Sequence, residues 1–406
     1  MSVRVHFLGP ILLTLLGSAC SPSLAQRESA AHPAMEALRA ARFDEARKAA
    51  QEVIKQDGKN PYARVADAVS RYRDAMHQLV TDLGGLAVTI FRMREINDRM
   101  LRFMLEGTDK ELAAVEDDLA QAAAFPELAF DLCLACWEVD WNRNGEVDSR
   151  DRRLFEIEMG ADGKDLPEGD PRRRPTFRFD HGDVLWARAM VAFQRATINI
   201  VLAFDWSDSG KAVPALMKGN GMFTIRLARP ERMAEARRLV KLGLHMADAC
   251  RKAYLLETDD EREWLPNPRQ MNHPMPLPVD EELYKTWELV VGDLQKLFNS
   301  EEGLSVAELA QLGDHQWEKP PQGFLDLGAM LSNPKDITLD MGALQHRSNE
   351  MERQPEQLLR DILGATYYRS GMKPSALIGR LNRMKKEADQ GKESMERKLR
   401  YLFWLN

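Results

Sequence analysis

The sequence predicts an all-α fold, an irregular helical array or bundle. Apolar residues recur every three or four positions nearly everywhere after the first thirty residues, and alternating β-branched stretches are few. Hydrophobic residues make up 44% of the 406 positions, ample for a sizeable core. Gly, Pro and Asp clusters punctuate the periodic segments at the intervals expected between helices.

Taken in order, a helix runs through Ala41 to Asp57, and Asn60-Pro61 opens another over 62–83, because proline is tolerated in a helix's first turn. Further helices are expected near 87–106, 109–123, 127–138 and 149–159. The stretch from Gly160 to Pro175 reads as a long loop. No strong boundary divides residues 34–406, and this loop is where two lobes, 34–159 and 180–406, would meet. Helices follow near 183–203, 230–256, 280–298 and 304–312, interrupted by a proline-rich segment from Pro266 to Pro278. From Pro355 onward come two or three more, and the apolar end Tyr401-Leu402-Phe403-Trp404-Leu405 is expected to cap the bundle.

The chain opens with Arg4 and an apolar run from Phe7 to Leu16, the length of a secretory leader and too short to span a membrane. Leu16-Gly17-Ser18-Ala19-Cys20 follows. It resembles a bacterial lipobox, which implies a leader over 1–19, acylation at Cys20, a flexible tether over 20–33 and an outer-membrane anchor facing the periplasm, although Gly17 stands where that motif places leucine. Cleavage after Ser23-Leu24-Ala25, leaving a soluble periplasmic chain, is the alternative.

The most specific signal is Asp140-Trp141-Asn142-Arg143-Asn144-Gly145-Glu146-Val147-Asp148-Ser149-Arg150-Asp151. Calcium takes six to eight oxygens, and a twelve-residue loop supplies them from positions 1, 3, 5, 7, 9 and 12. Here those are Asp140, Asn142, Asn144, the Glu146 carbonyl, Asp148 and Asp151, with Gly145 at the sharp turn and Val147 as apolar anchor. The stretch resembles an EF-hand loop, in its dockerin version, which implies a helix-loop-helix site for Ca2+ with a dissociation constant of roughly 10⁻⁴ to 10⁻³ M for an extracytoplasmic module. A second candidate, Asp205 to Lys211, starts correctly but puts Val213 and Leu216 at ligand positions. The plainer reading of the main loop is an Asp/Asn turn whose side chains bond their own backbone.

Ala41-Arg42-Phe43-Asp44-Glu45-Ala46 with Ala49-Ala50, Val53 and Asp57 resembles the second helix of a tetratricopeptide repeat, which implies a TPR-like stack of hairpins with a concave binding surface.

Beyond Cys20 the cysteines are Cys133, Cys136 and Cys250. Cys133-Leu134-Ala135-Cys136 has redox spacing but falls in an expected helix, so small buried hydrophobes are the first reading and a disulfide to Cys250 the second. Net charge is −7, which does not favour nucleic acid. Arg172-Arg173-Arg174 reads as a solvated turn, and Asp259-Asp260-Glu261 and Glu301-Glu302 as solvated helix ends. Asp180-His181 with Asp183 reads as a helix cap. Trp141 and Trp206 are expected to point outward and to mark any ligand-binding patch. HExxH, GxSxG and phosphate-loop motifs are absent from the sequence.

The expected protein is a calcium-stabilised helical lipoprotein of the Gram-negative envelope that acts by binding another envelope protein rather than by catalysis. The alternatives are a solute-binding lipoprotein of a transport system, which an enclosed aromatic-lined cavity would favour, and a hydrolase, which several convergent titratable groups would favour.

Overall fold

The computed structural model describes residues 22–91, 98–141, 144–160, 164–208, 222–275, 279–312, 320–340, 360 and 366–390. Among them the chain is mainly helical, with three small antiparallel sheets that the all-α expectation left out.

Helix α1 spans Leu24–Arg39 and opens on a capping box, in which the Ser23 hydroxyl and the Gln26 side chain satisfy each other's backbone N–H groups. The expected tether over 20–33 is therefore helix from Leu24. Helix α2, Phe43–Gln56, buries Phe43, Ala46 and Ala50, one amphipathic face. Helix α3, Pro61–Phe91, starts under an Asn60 cap, and neither Gly84 nor Gly85 interrupts it. Helix α4, Asp98–Ala122, runs through the break expected between 106 and 109. These helices pack as neighbours in chain order, but their lengths of 16, 14, 31 and 25 residues share no repeat period.

The expected helix at 127–138 is instead strand β1, Ala129–Leu132, followed by a 3-10 turn at Leu134–Cys136. The reason is tertiary. Phe130 and Leu132 alternate inward and pair with Phe179 and Phe177 of β2, Phe177–Asp180, and the Phe130 and Phe179 rings stack at 5.8 Å. Helix α5 covers only Ser149–Arg153, because the chain beyond it extends to hydrogen-bond elsewhere, the Ile157 N–H reaching the Arg173 carbonyl. Arg173 is buried against Glu156 and Glu158, so the triple-arginine run is only partly solvated.

Helix α6, His181–Ala203, is apolar on two sides. Val184, Val191, Ile198 and Leu202 join the core built with α1 to α4 and the first sheet, while Leu185, Ala189, Ala192 and Ala196 join the core shared with α7, Pro230–Leu256, and α8, Glu281–Phe298. Helix α6 is thus a wall of both cores, and β1 pairs with β2 across the loop at 160–175. Close approach of α6 and α7 depends on small residues: a Cβ on Gly243 would lie 2.6 Å from the Phe193 ring.

Strands β3, Phe204–Asp205, and β4, Met222–Leu227, form a second sheet with β7, Ile337–Asp340. In the third, β5, Leu304–Ser305, and β8, Tyr368–Arg369, flank β6, Phe324–Leu325. Short helices α9, Val306–Leu312, and α10, Leu327–Ser332, and the longer α11, Leu377–Gln390, complete the described chain. Glu302, expected in solvent, is buried beside Lys373. The apolar end at 401–405 and the later part of the Asp205 echo lie outside the described residues.

Candidate functional site

The chain enters the Asp140–Asp151 loop from the 3-10 turn and an extended limb, Trp137 to Asp140, and leaves it through the five-residue α5, so the site is not helix-loop-helix. Three aromatic rings hold it to the core. Trp137 packs edge-on against Phe43 at 5.1 Å and Phe155 at 6.2 Å, and Trp141 against Phe155 at 5.5 Å. Trp141 and Trp206 are thus turned inward, contrary to expectation; the Trp206 indole N–H donates to the Val201 carbonyl.

Within the loop, side-chain oxygens gather backbone N–H groups. Asp140 accepts from Asn144 at 3.1 Å and Gly145 at 2.8 Å, which folds the middle of the loop back over its first position. Gly145 makes that turn at φ +96°, where a Cβ would be strained. Asn144 accepts from the Glu146 N–H and donates its amide to Asp148 at 3.2 Å. Buried Asp151 accepts from Trp141 and Asp148, and Asp148 caps α5, where the Arg150 N–H holds its carboxyl below the usual range. Asn142 lies outside the described residues.

The donor set fits calcium in kind: three carboxylates, a carboxamide and the Glu146 carbonyl are hard oxygens on a wrapped loop. Its carboxylates are not drawn together, however. Among the described residues a single set of three acidic, histidine or cysteine side chains brings its ligand atoms within 4.8 Å, and that set is elsewhere. Binding would require Asp140, Asp148 and Asp151 to close inward.

Cys133 and Cys136 are joined by a disulfide that closes the 3-10 turn, and Cys250 is a free, buried thiol whose burial pushes its pKa up. The disulfide expected with Cys250 is not formed, because Cys250 sits in α7 within the other core. Cys133 and Cys136 are also not buried hydrophobes of a helix face: Cys136 is exposed and Cys133 half-buried.

The close acidic set is Asp180, Glu257 and Glu263, where β2 turns into α6 and meets the end of α7. Asp180 caps α6, as the sequence suggests, accepting from the Gly182 and Asp183 N–H groups, and fully buried Asp183 accepts the Tyr254 hydroxyl proton at 2.6 Å. Glu263 arrives through a parallel bridge to Arg178. Burial, reinforced by the Asp180 charge, pushes Glu263 up to about 7. Burial and a hydrogen bond to Asp180 push Glu257 far up, so it holds a proton. The His181 Nδ1 atom is buried and makes no hydrogen bond among the described residues. Nothing local in the sequence marks Glu257 or Glu263, which are brought to Asp180 only by tertiary structure.

A cleft of about 330 Å³ lies between α2, α3 and α4, lined by Lys55, Arg64, Arg71, Asp67, Asp117 and Asp118 and by no aromatic ring. Arg64 pairs with Asp118 at 2.5 Å and Arg71 with Asp67 at 2.7 Å. No family model matches the chain, and no curated protein and no solved structure matches it significantly.

Proposed function

We propose that the chain is a helical envelope lipoprotein, held to the outer membrane by acyl chains on Cys20, stapled by calcium at Asp140–Asp151, and acting as a scaffold that binds another envelope protein. The observation that carries this reading is the wrapped loop, in which Asp140 and Asp151 together gather the N–H groups of positions 2, 5, 6 and 9. Calcium, when bound, would neutralise three carboxylates and fix the segment that links the first sheet to α5.

The start of α1 supports the anchor. Cleavage after Ala25 would cut inside the first helical turn and remove the Ser23 cap together with Leu24, which packs on the core. Processing at Cys20 leaves both in place. The charged cleft supports a protein partner over a hidden solute, since an apolar or aromatic ligand would meet ion pairs there. A membrane-fractionation experiment tests the anchor: the wild type should sediment with membranes and Cys20→Ser should not. If the wild type is recovered in the periplasmic fraction, the anchor is wrong. Cross-linking from the α2–α4 cleft in intact cells should capture an envelope protein in the presence of calcium.

A hydrolase is the second reading, favoured by the convergence of Asp180, Glu257 and Glu263. Asp180 is engaged as a helix cap and Glu257 holds a proton against it, which leaves Glu263 as the group able to act as a base near neutral pH. Hydrolysis of a generic ester or glycoside panel that Glu263→Gln abolishes would replace the scaffold reading.

A further inference from the structure

We propose that the Cys133–Cys136 disulfide is an exchangeable redox site whose state sets the calcium affinity of the neighbouring loop. The second half of this proposal rests on the calcium reading above.

In an EF-hand the incoming helix holds the first ligand in place, and this chain has no helix there. The disulfide-closed turn occupies that position. It lies directly between β1 and the limb that ends in Asp140, the Trp137 N–H at its end donates to the Leu134 carbonyl, and α5, which carries Asp151, packs against it. Leu134, Ala135, Trp137 and Val139 are buried around it, so the crosslink fixes the angle at which the limb leaves the core. Opening it returns the turn to a hydrogen-bonded 3-10 segment without covalent closure, in which Asp140 is less well placed for a bound ion.

Access is asymmetric. Cys136 is exposed, while Cys133 is half-buried, with its sulfur 3.5 Å from the Arg174 carbonyl. A thiolate from an extracytoplasmic dithiol attacks Cys136 Sγ, the Cys133–Cys136 bond breaks, and Cys133 leaves as a thiolate that takes up a proton. The second thiol of the reductant then attacks the mixed disulfide and releases Cys136. Two electrons pass from the dithiol, which becomes a disulfide, to the cysteine pair. Cys250 takes no part, because it is buried in the other core.

The test uses the full chain in detergent, oxidised or treated with dithiothreitol under native conditions, followed by maleimide labelling mapped by mass and by calcium titration of both forms. Labels should appear at Cys133 and Cys136 but not at Cys250, and the reduced form should bind calcium about tenfold more weakly, the scale on which lost outer-shell support acts. Cys133→Ser/Cys136→Ser should reproduce the weak form without reductant, while Cys250→Ser should not. A disulfide that stays closed to the dithiol in the folded chain would overturn the proposal. Equal calcium affinity in the two forms would overturn the coupling and leave the calcium reading standing, whereas absence of binding in both would overturn the two together.

Discussion

Asp109 shows how much a single residue can carry here. Its buried carboxylate accepts from Arg195 at 3.0 Å, Asn199 at 3.1 Å and Arg232 at 3.0 Å, joining α4 to α6 and α7. Asp109→Ala would leave Arg195 buried without its closest partner, which costs about 3–5 kcal/mol, a large share of the 5–15 kcal/mol typical of folding stability. Chemical denaturation should show that loss as a lower midpoint with little change in slope. Gly182 is a second such point. A Cβ there would lie 2.6 Å from the Tyr254 ring, so Gly182→Ala should push that ring off Asp183 and cost about 1–3 kcal/mol, read in the same experiment. At this scale the sequence revealed residues whose role is local. Asp180 as a cap and Gly145 as a turn follow from neighbours within a few positions. Asp109, Glu257 and Glu263 do not, because their partners lie dozens of positions away, and Trp141 and Trp206 pack on Phe155 and Val201 where loop position alone suggests an outward ring.

Among elements, helix boundaries were legible wherever a cap announces them. Helices α6, α7 and α8 begin within two residues of expectation because Asp180, Pro230 and Asp280 open them. The segment at 127–138 was not legible, since a short apolar run fits either a helix or a strand until its pairing partner is known. Helix α1 is not legible because its segment directly follows the stretch that reads as a leader and so reads as a tether. Its capping box makes a test: Ser23→Ala should cost about 1 kcal/mol, and a chain beginning at Gln26 should lose more, since Leu24 goes too. Thermal melts of the two variants should fall in that order.

For the whole molecule, the buried acids give stability a sign with pH. Glu263, with an ordinary value near 4.5, is held up to about 7 by burial and by Asp180, and Asp118, ordinarily near 3.8, up to about 6 by burial and by Asp67 despite Arg64. Between those limits the folded chain binds protons that the unfolded chain has released, so the stability these two groups contribute is fully present below about pH 4 and is lost as pH rises through about 6 to 7. Melting temperature should therefore fall from pH 5 to pH 7.5, and Glu263→Gln should flatten the fall. A profile unchanged in that variant would remove Glu263 as its source. The mainly helical character was legible from periodicity, whereas the three small sheets among the described residues, held by strands of two to six residues, are too short to impose a pattern of their own.

The central claim is that Asp140–Asp151 binds calcium, and a calorimetric calcium titration of the full chain in detergent, paired with thermal melts in calcium and in chelator, tests it most directly. One ion should bind with a dissociation constant of roughly 10⁻⁴ to 10⁻³ M. At ten times that concentration the fold should gain about 1.4 kcal/mol, and Asp140→Ala/Asp151→Ala should abolish both heat and gain. Identical melts with calcium and chelator, and no binding heat in the wild type, would contradict the account and leave the loop an Asp/Asn turn held by its own backbone.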